Sequence, residues 1–174
     1  TIMLILALYR HLIDTTNELK AGKWLKGARR LINCELRGKA VGIIGFGNIG
    51  KAVAKRLIGF ETETYYYSSF PQSSETEQAV GVKGYLPLDR LFKECDIITL
   101  HCMLNDKTKN LINADALQSM KKSAIIINTC RGKVVDEKAL CQALRNGEIA
   151  GAGLDVFDQE PVDAANPLLT MPNV

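Results

Sequence analysis

Six residues, Gly45-Phe46-Gly47-Asn48-Ile49-Gly50, stand between an apolar run, Ala40–Ile44, and a helix-patterned stretch from Ile49 to Leu57. A GxGxxG spacing is weak alone, but at a strand-to-helix junction it has a mechanism. The first glycine permits a tight turn, and the second lets the backbone approach a pyrophosphate. The third lets the helix pack close on the strand. The helix start then offers free N–H groups and a positive dipole end to the phosphates. The junction reads as a dinucleotide site; the alternative is a glycine-rich turn with no ligand.

Other chemistry-bearing residues follow later apolar runs. The second run ends at Tyr67-Ser68-Ser69, the fourth at His101-Cys102-Met103-Leu104, the fifth at Thr129-Cys130-Arg131-Gly132 and the sixth at Asp155-Val156-Phe157. Arg131 has a guanidinium that can grip a carboxylate bidentately; capping a loop is the competing role. A carboxylate at Asp155 or Glu160 can orient an amide or raise the pKa of an imidazole, or serve as a plain surface acid. Of the two histidines, His11 falls in the opening helical segment and reads as structural. His101 ends a strand near the expected crevice, and a packing or hydrogen-bonding role is favoured over acid–base work.

The elements that must position these groups alternate. Strands are expected at Ala40–Ile44, Thr62–Tyr67, Val82–Tyr85, Asp96–His101, Ala124–Thr129 and Ile149–Leu154. Helices are expected at Asn48–Ile58, Leu88–Glu94, Asn113–Met120 and Asp136–Asn146, after an opening amphipathic segment over roughly residues 1–21. Asp136 is a good N-cap, and Gly147 sits where a C′ glycine stops a helix. Nearly unbroken apolar runs such as Ile125-Ile126-Ile127 suit a parallel sheet covered on both faces. The alternation gives an α/β, Rossmann-like doubly wound parallel sheet. Pro71–Gln78 reads as a surface loop or short exposed helix. The tail from Asp158, with three prolines, wraps the domain edge, and Asn173-Val174 begins another strand.

The 174 residues, 47% hydrophobic and 24% charged with net charge +3, fit one soluble globular domain with a substantial core. The densest basic stretch, Lys20, Lys23, Lys26, Arg29 and Arg30, alternates with apolar residues. It reads as a solvated surface, not a nucleic-acid patch. Five scattered cysteines without a CxxC pair argue against a disulfide framework or zinc site and for a reducing, cytoplasmic compartment. Cys95 and Cys141 read as small core hydrophobes. The apolar start, Thr1–Tyr9, is too short for a membrane span and lacks a basic signal region.

Several ordered blocks together resemble the D-isomer-specific 2-hydroxyacid dehydrogenases. These are Val41–Leu57, Asp96–Leu104 with Lys107–Asn113, Met120–Asp136, Gly151–Pro161 and Asn166–Val174. The resemblance implies the NAD or NADP-binding domain of an oxidoreductase acting on a small 2-keto or 2-hydroxy acid. Arg131 would bind the substrate carboxylate and carbonyl region, and Glu160 would hold a catalytic histidine protonated. Asp155 would hold the nicotinamide carboxamide, with Thr129 and Cys130 near the nicotinamide and its ribose. Gly45, Phe46, Gly47, Asn48, Ile49 and Gly50 would carry the pyrophosphate. Ser68, Ser69, Cys102, Met103 and Thr108 would line the rest of the cofactor site.

The resemblance places the family's catalytic histidine just past a segment like Pro172-Asn173-Val174, and half the substrate site on a flanking domain. The chain is thus expected to be a cofactor domain alone, inactive until completed. Ser68 stands where NAD-using members carry an acid, so NADP is allowed. Met103 replaces a common proline. Dimerisation through this domain is expected, with Ile2–Leu8 and Trp24 in the contact, unless Ile2–Leu8 is simply buried on the sheet. Two other readings stay open: a nicotinamide-responsive corepressor of the same fold, and a relative acting on formate or phosphite.

Overall fold

The computed structural model describes residues 1–174, apart from the side chains of Lys26 and Arg29. Six strands form one parallel sheet: β1 (Ala40–Ile44), β2 (Glu63–Tyr67), β3 (Gly84–Tyr85), β4 (Ile97–Leu100), β5 (Ile125–Asn128) and β6 (Gly151–Leu154). Their spatial order is β3-β2-β1-β4-β5-β6. The order reverses direction between β1 and β4, which is where such sheets open a ligand crevice at the strands' carboxyl ends. The expected strands are all present. Most are shorter by one or two residues at their ends, where pairing with a neighbour runs out.

Alternation along each strand sends side chains to opposite faces. Val41, Ile43, Ile97, Ile125 and Ile127 are buried on one face, beneath α1 (Ile2–Tyr9) and α4 (Asn48–Leu57). Ile44, Ile98, Leu100 and Ile126 are buried on the other, beneath α6 (Leu88–Glu94), α7 (Ala114–Ser119) and α8 (Glu137–Asn146). Each isoleucine so buried contributes about 2 kcal/mol of transfer free energy. The caps act as expected on α8. Asp136 Oδ1 accepts from the Lys138 and Ala139 N–H groups, and Gly147 takes a left-handed φ of 65°.

The opening segment departs from expectation. It is two helices, α1 and α2 (Leu12–Lys20), and His11 lies in the break with φ 47°, not within a helix. α1 buries Ile5 and Tyr9, whereas α2 buries nothing, so the chain must turn off the sheet between them. α1 seats on β5 and β6, where a Cβ at Gly153 would stand 2.9 Å from Ile127 and 3.0 Å from Leu4. Most of Ile2–Leu8 is therefore covered by the sheet, with Met3 facing outward. The basic stretch lies around α3 (Lys26–Ile32). Lys20, Lys23 and Arg30 are exposed; the side chains of Lys26 and Arg29 lie outside the described residues.

Pro71–Gln78 leads into α5 (Ser74–Val80), capped by Ser73. The tail lies along the free edge of β6, where the Asn173 carbonyl accepts from the Ala152 N–H at 2.9 Å. No strand forms at residues 173–174. Among the described residues, no helix is long and apolar enough to cross a membrane.

Candidate cofactor site

Each glycine of the junction meets a different demand. Gly45 has φ 93°, and a Cβ there would lie 2.4 Å from the Cys102 nitrogen and 2.6 Å from the His101 carbonyl oxygen. Gly50 has no room either, since its Cβ would stand 2.3 Å from the Gly45 carbonyl oxygen. Gly47, by contrast, faces open space. This is the pattern of a tight turn, a helix pressed on its strand, and one backbone position left clear for a ligand. No side chain caps α4, while side chains of Ser73, Asn113 and Asp136 cap α5, α7 and α8. The first N–H groups of α4 therefore keep their capacity for an anion.

Phe46 faces away from the ligand side of the turn. Its ring is buried and stacks on Tyr66, with centroids 4.0 Å apart, so only its backbone can serve a phosphate. Ile49 is exposed beside it. The Ser68 hydroxyl donates to the Phe70 carbonyl, and Ser69 is exposed. No carboxylate occupies position 68. Thr108 closes the loop after β4, donating to the Met103 carbonyl at 2.6 Å and accepting from the Asn105 N–H at 2.8 Å. Met103 is strongly exposed on that loop.

His101 carries a 2.9 Å hydrogen bond between its Nε2 and the buried Thr99 hydroxyl. Burial lowers its pKa to about 4, so the ring is neutral near pH 7. That fits a packing and hydrogen-bonding role. Thr129 hydrogen-bonds Thr1 through the two hydroxyls at 3.0 Å.

Arg131 is exposed, its Nη1 donating to the Cys130 carbonyl at 2.6 Å; among the described residues it forms no ion pair. Asp155 and Glu160 are exposed on the neighbouring loop. Glu160 Oε1 accepts from the Phe157 N–H at 3.1 Å. The two loops touch backbone to backbone, because a Cβ at Gly132 would fall 1.9 Å from the Phe157 carbonyl oxygen. The fold thus brings Arg131, Asp155 and Glu160 to the carboxyl end of the sheet, the end that also carries the glycine junction.

Two positioning groups were not singled out from sequence. Buried Asn128 accepts from the Cys130 N–H at 3.1 Å and donates to the Arg131 carbonyl at 2.9 Å, fixing that turn. Its signal was a lone amide closing the run Ile125-Ile126-Ile127. Glu137, in the first turn of α8, accepts from the Asp158 N–H and from Asn166 Nδ2, tying the tail to the helix.

A family model described as D-isomer specific 2-hydroxyacid dehydrogenase, NAD binding domain, matches residues 2–174. The chain belongs to this family. The chain is 42% identical over 173 residues to a glyoxylate reductase of Korarchaeum cryptofilum, covering 98% of this chain and 52% of that protein. It is 44% identical to a hydroxypyruvate reductase of Thermotoga maritima, covering 98% and 54%. A solved NAD-dependent formate dehydrogenase from Staphylococcus aureus, in complex with NAD, superposes with a TM-score of 0.91 at 34% identity, covering 99% and 50%. The chain spans about half the length of the curated relatives it matches.

Proposed function

We propose that residues 1–174 form a single cofactor-binding domain, one half of a cytoplasmic 2-keto acid reductase or D-2-hydroxyacid dehydrogenase. The observation that carries this reading is the junction itself: Gly45 and Gly50 filled to the backbone, Gly47 open, and α4 uncapped. The relatives named glyoxylate and hydroxypyruvate reductase support a small 2-keto acid as substrate. The bound nicotinamide cofactor supplies or accepts the hydride.

This chain's own residues have separable tasks. The α4 N–H groups and the Gly47 backbone bind the pyrophosphate. Asp155 accepts from the carboxamide and orients the nicotinamide. Arg131 grips the substrate carboxylate and places positive charge beside the carbonyl oxygen, where negative charge develops. Glu160 orients and keeps protonated an acid–base histidine outside these 174 residues. A second copy docks on the exposed apolar side chains of the α2–α3 region, Leu12, Ile13, Leu19, Trp24, Leu31 and Ile32; a monomer by light scattering at high micromolar concentration would sink that contact.

Titration with NADH and, separately, NADPH, read by nicotinamide fluorescence, tests the cofactor reading. Saturable binding of either is expected. Binding of neither would remove the dinucleotide assignment of Gly45–Gly50 from this chain.

A further inference from the structure

Cys102 and Cys130 are distant in sequence, but β4 and β5 pair in parallel with Leu100 opposite Asn128. Each cysteine lies two residues past the end of its strand, so the two leave neighbouring strands side by side. Both pack on the cluster under α6, α7 and α8. At the last pair, Leu100 and Asn128, neighbouring strands run about 4.8 Å apart, inside the roughly 4.4–6.8 Å Cα separation that a disulfide spans. The two thiols are free and only partly buried, and each is the largest influence on the other's pKa.

Their place matters as much as their proximity. The Cys102 nitrogen is the atom that a side chain at Gly45 would strike, so the backbone of Cys102 forms the back wall of the junction turn. Cys130 immediately precedes Arg131, and Asn128 Oδ1 takes hydrogen bonds from both its N–H and its thiol.

We propose that Cys102 and Cys130 form a redox dithiol at the crevice, which hydrogen peroxide converts to a disulfide that weakens dinucleotide binding. The proposal rests on the cofactor reading above.

The two sulfurs are unequal. The neighbouring Cys102 thiol, helped by the Arg131 backbone and guanidinium, lowers the Cys130 pKa, while Cys130 and burial raise that of Cys102. The Cys130 thiolate is the attacking group. It displaces hydroxide from the peroxide; the O–O bond breaks, an S–O bond forms, and the sulfur is oxidised to a sulfenic acid. The Cys102 sulfur then attacks the Cys130 sulfur. An S–S bond forms, the S–O bond breaks, and hydroxide leaves with the Cys102 proton as water. A disulfide draws the sulfurs to about 2.05 Å, closer than two unbonded thiols can approach. The pull acts on a backbone already packed against Gly45 without slack.

The test uses the chain with Cys34→Ser, which removes an exposed competing thiol. After peroxide, intact mass is expected to fall by two hydrogens, and peptide mapping to find Cys102 joined to Cys130. The NADH dissociation constant is expected to rise by roughly fivefold or more, the lower end of ordinary coupling between sites, and to return with dithiothreitol. Cys102→Ser and Cys130→Ser are each compared with themselves before and after peroxide; neither should lose two hydrogens, and Cys102→Ser should stop at a Cys130 sulfenic acid, one oxygen heavier. Oxidation of the two thiols without a cross-link would overturn the proposal, as would a cross-link that leaves NADH affinity unchanged. If the reduced chain binds neither NADH nor NADPH, the cofactor reading and the coupling fall together, and the map alone decides whether the dithiol exists.

Discussion

A side chain at Gly50 would stand 2.3 Å from the carbonyl oxygen of Gly45, whereas one at Gly47 would touch nothing within 4 Å. Two glycines three positions apart thus do different work, one for the fold and one for the ligand. Gly50→Ala is expected to lower stability by about 1–3 kcal/mol, because α4 must shift off β1. Gly47→Ala is expected to stay within about 0.5 kcal/mol of the parent while losing NADH affinity. Denaturant melts and fluorescence titrations on both variants check this; equal stability losses would refute the division.

His101 makes stability depend on pH. Its folded pKa is about 4 against an ordinary 6.5. Between those values the unfolded chain takes up a proton that the folded ring refuses. The contribution is therefore intact above about pH 6.5 and lost as pH falls toward 4. The loss amounts to about 3 kcal/mol over that window. Urea midpoints at pH 7 and pH 4.5 should separate in the parent and draw together in His101→Gln. The same separation in both would assign the effect to other groups.

Much of this was legible in the sequence. Ala40–Ile44 reads as a buried parallel strand because its apolar run meets a glycine turn, and Asp136 with Gly147 announces both ends of α8. Three features were not legible. Nothing in the 3.6-residue period marks His11 as a left-handed break; the sheet beneath α1 imposes it. The burial of Phe46 depends on Tyr66 in the next strand. The meeting of Cys102 and Cys130 requires knowing that β4 and β5 are neighbours, which spacing along the chain does not state.

Cofactor choice should respond to position 68. No carboxylate stands there to repel a 2′-phosphate. Ser68→Asp is expected to weaken NADPH binding at least about tenfold, equivalent to roughly 1.4 kcal/mol, with NADH binding kept. Parallel titrations decide it. An unchanged preference would move the 2′ contact away from Ser68.

Gly132 holds the Arg131 loop against the loop bearing Asp155 and Glu160. Gly132→Ala places a methyl group 1.9 Å from the Phe157 carbonyl oxygen, so the loops must part. A stability loss of about 1–3 kcal/mol is expected, with changed amide shifts at Asp155 and Phe157 by NMR. Arg131→Ala, at an exposed side chain, should leave stability within about 0.5 kcal/mol. Similar melts for these two variants would refute the close approach.

The seating of α1 on β6 also sets an order of events. Within residues 1–174, α1 is made well before β6, the strand it docks on, so residues 2–9 wait, uncovered and greasy, for Gly151 and Gly153 to arrive. In refolding, α1 amides should gain exchange protection after those of β1 and β4. During synthesis the same delay makes this helix the natural handle for a chaperone.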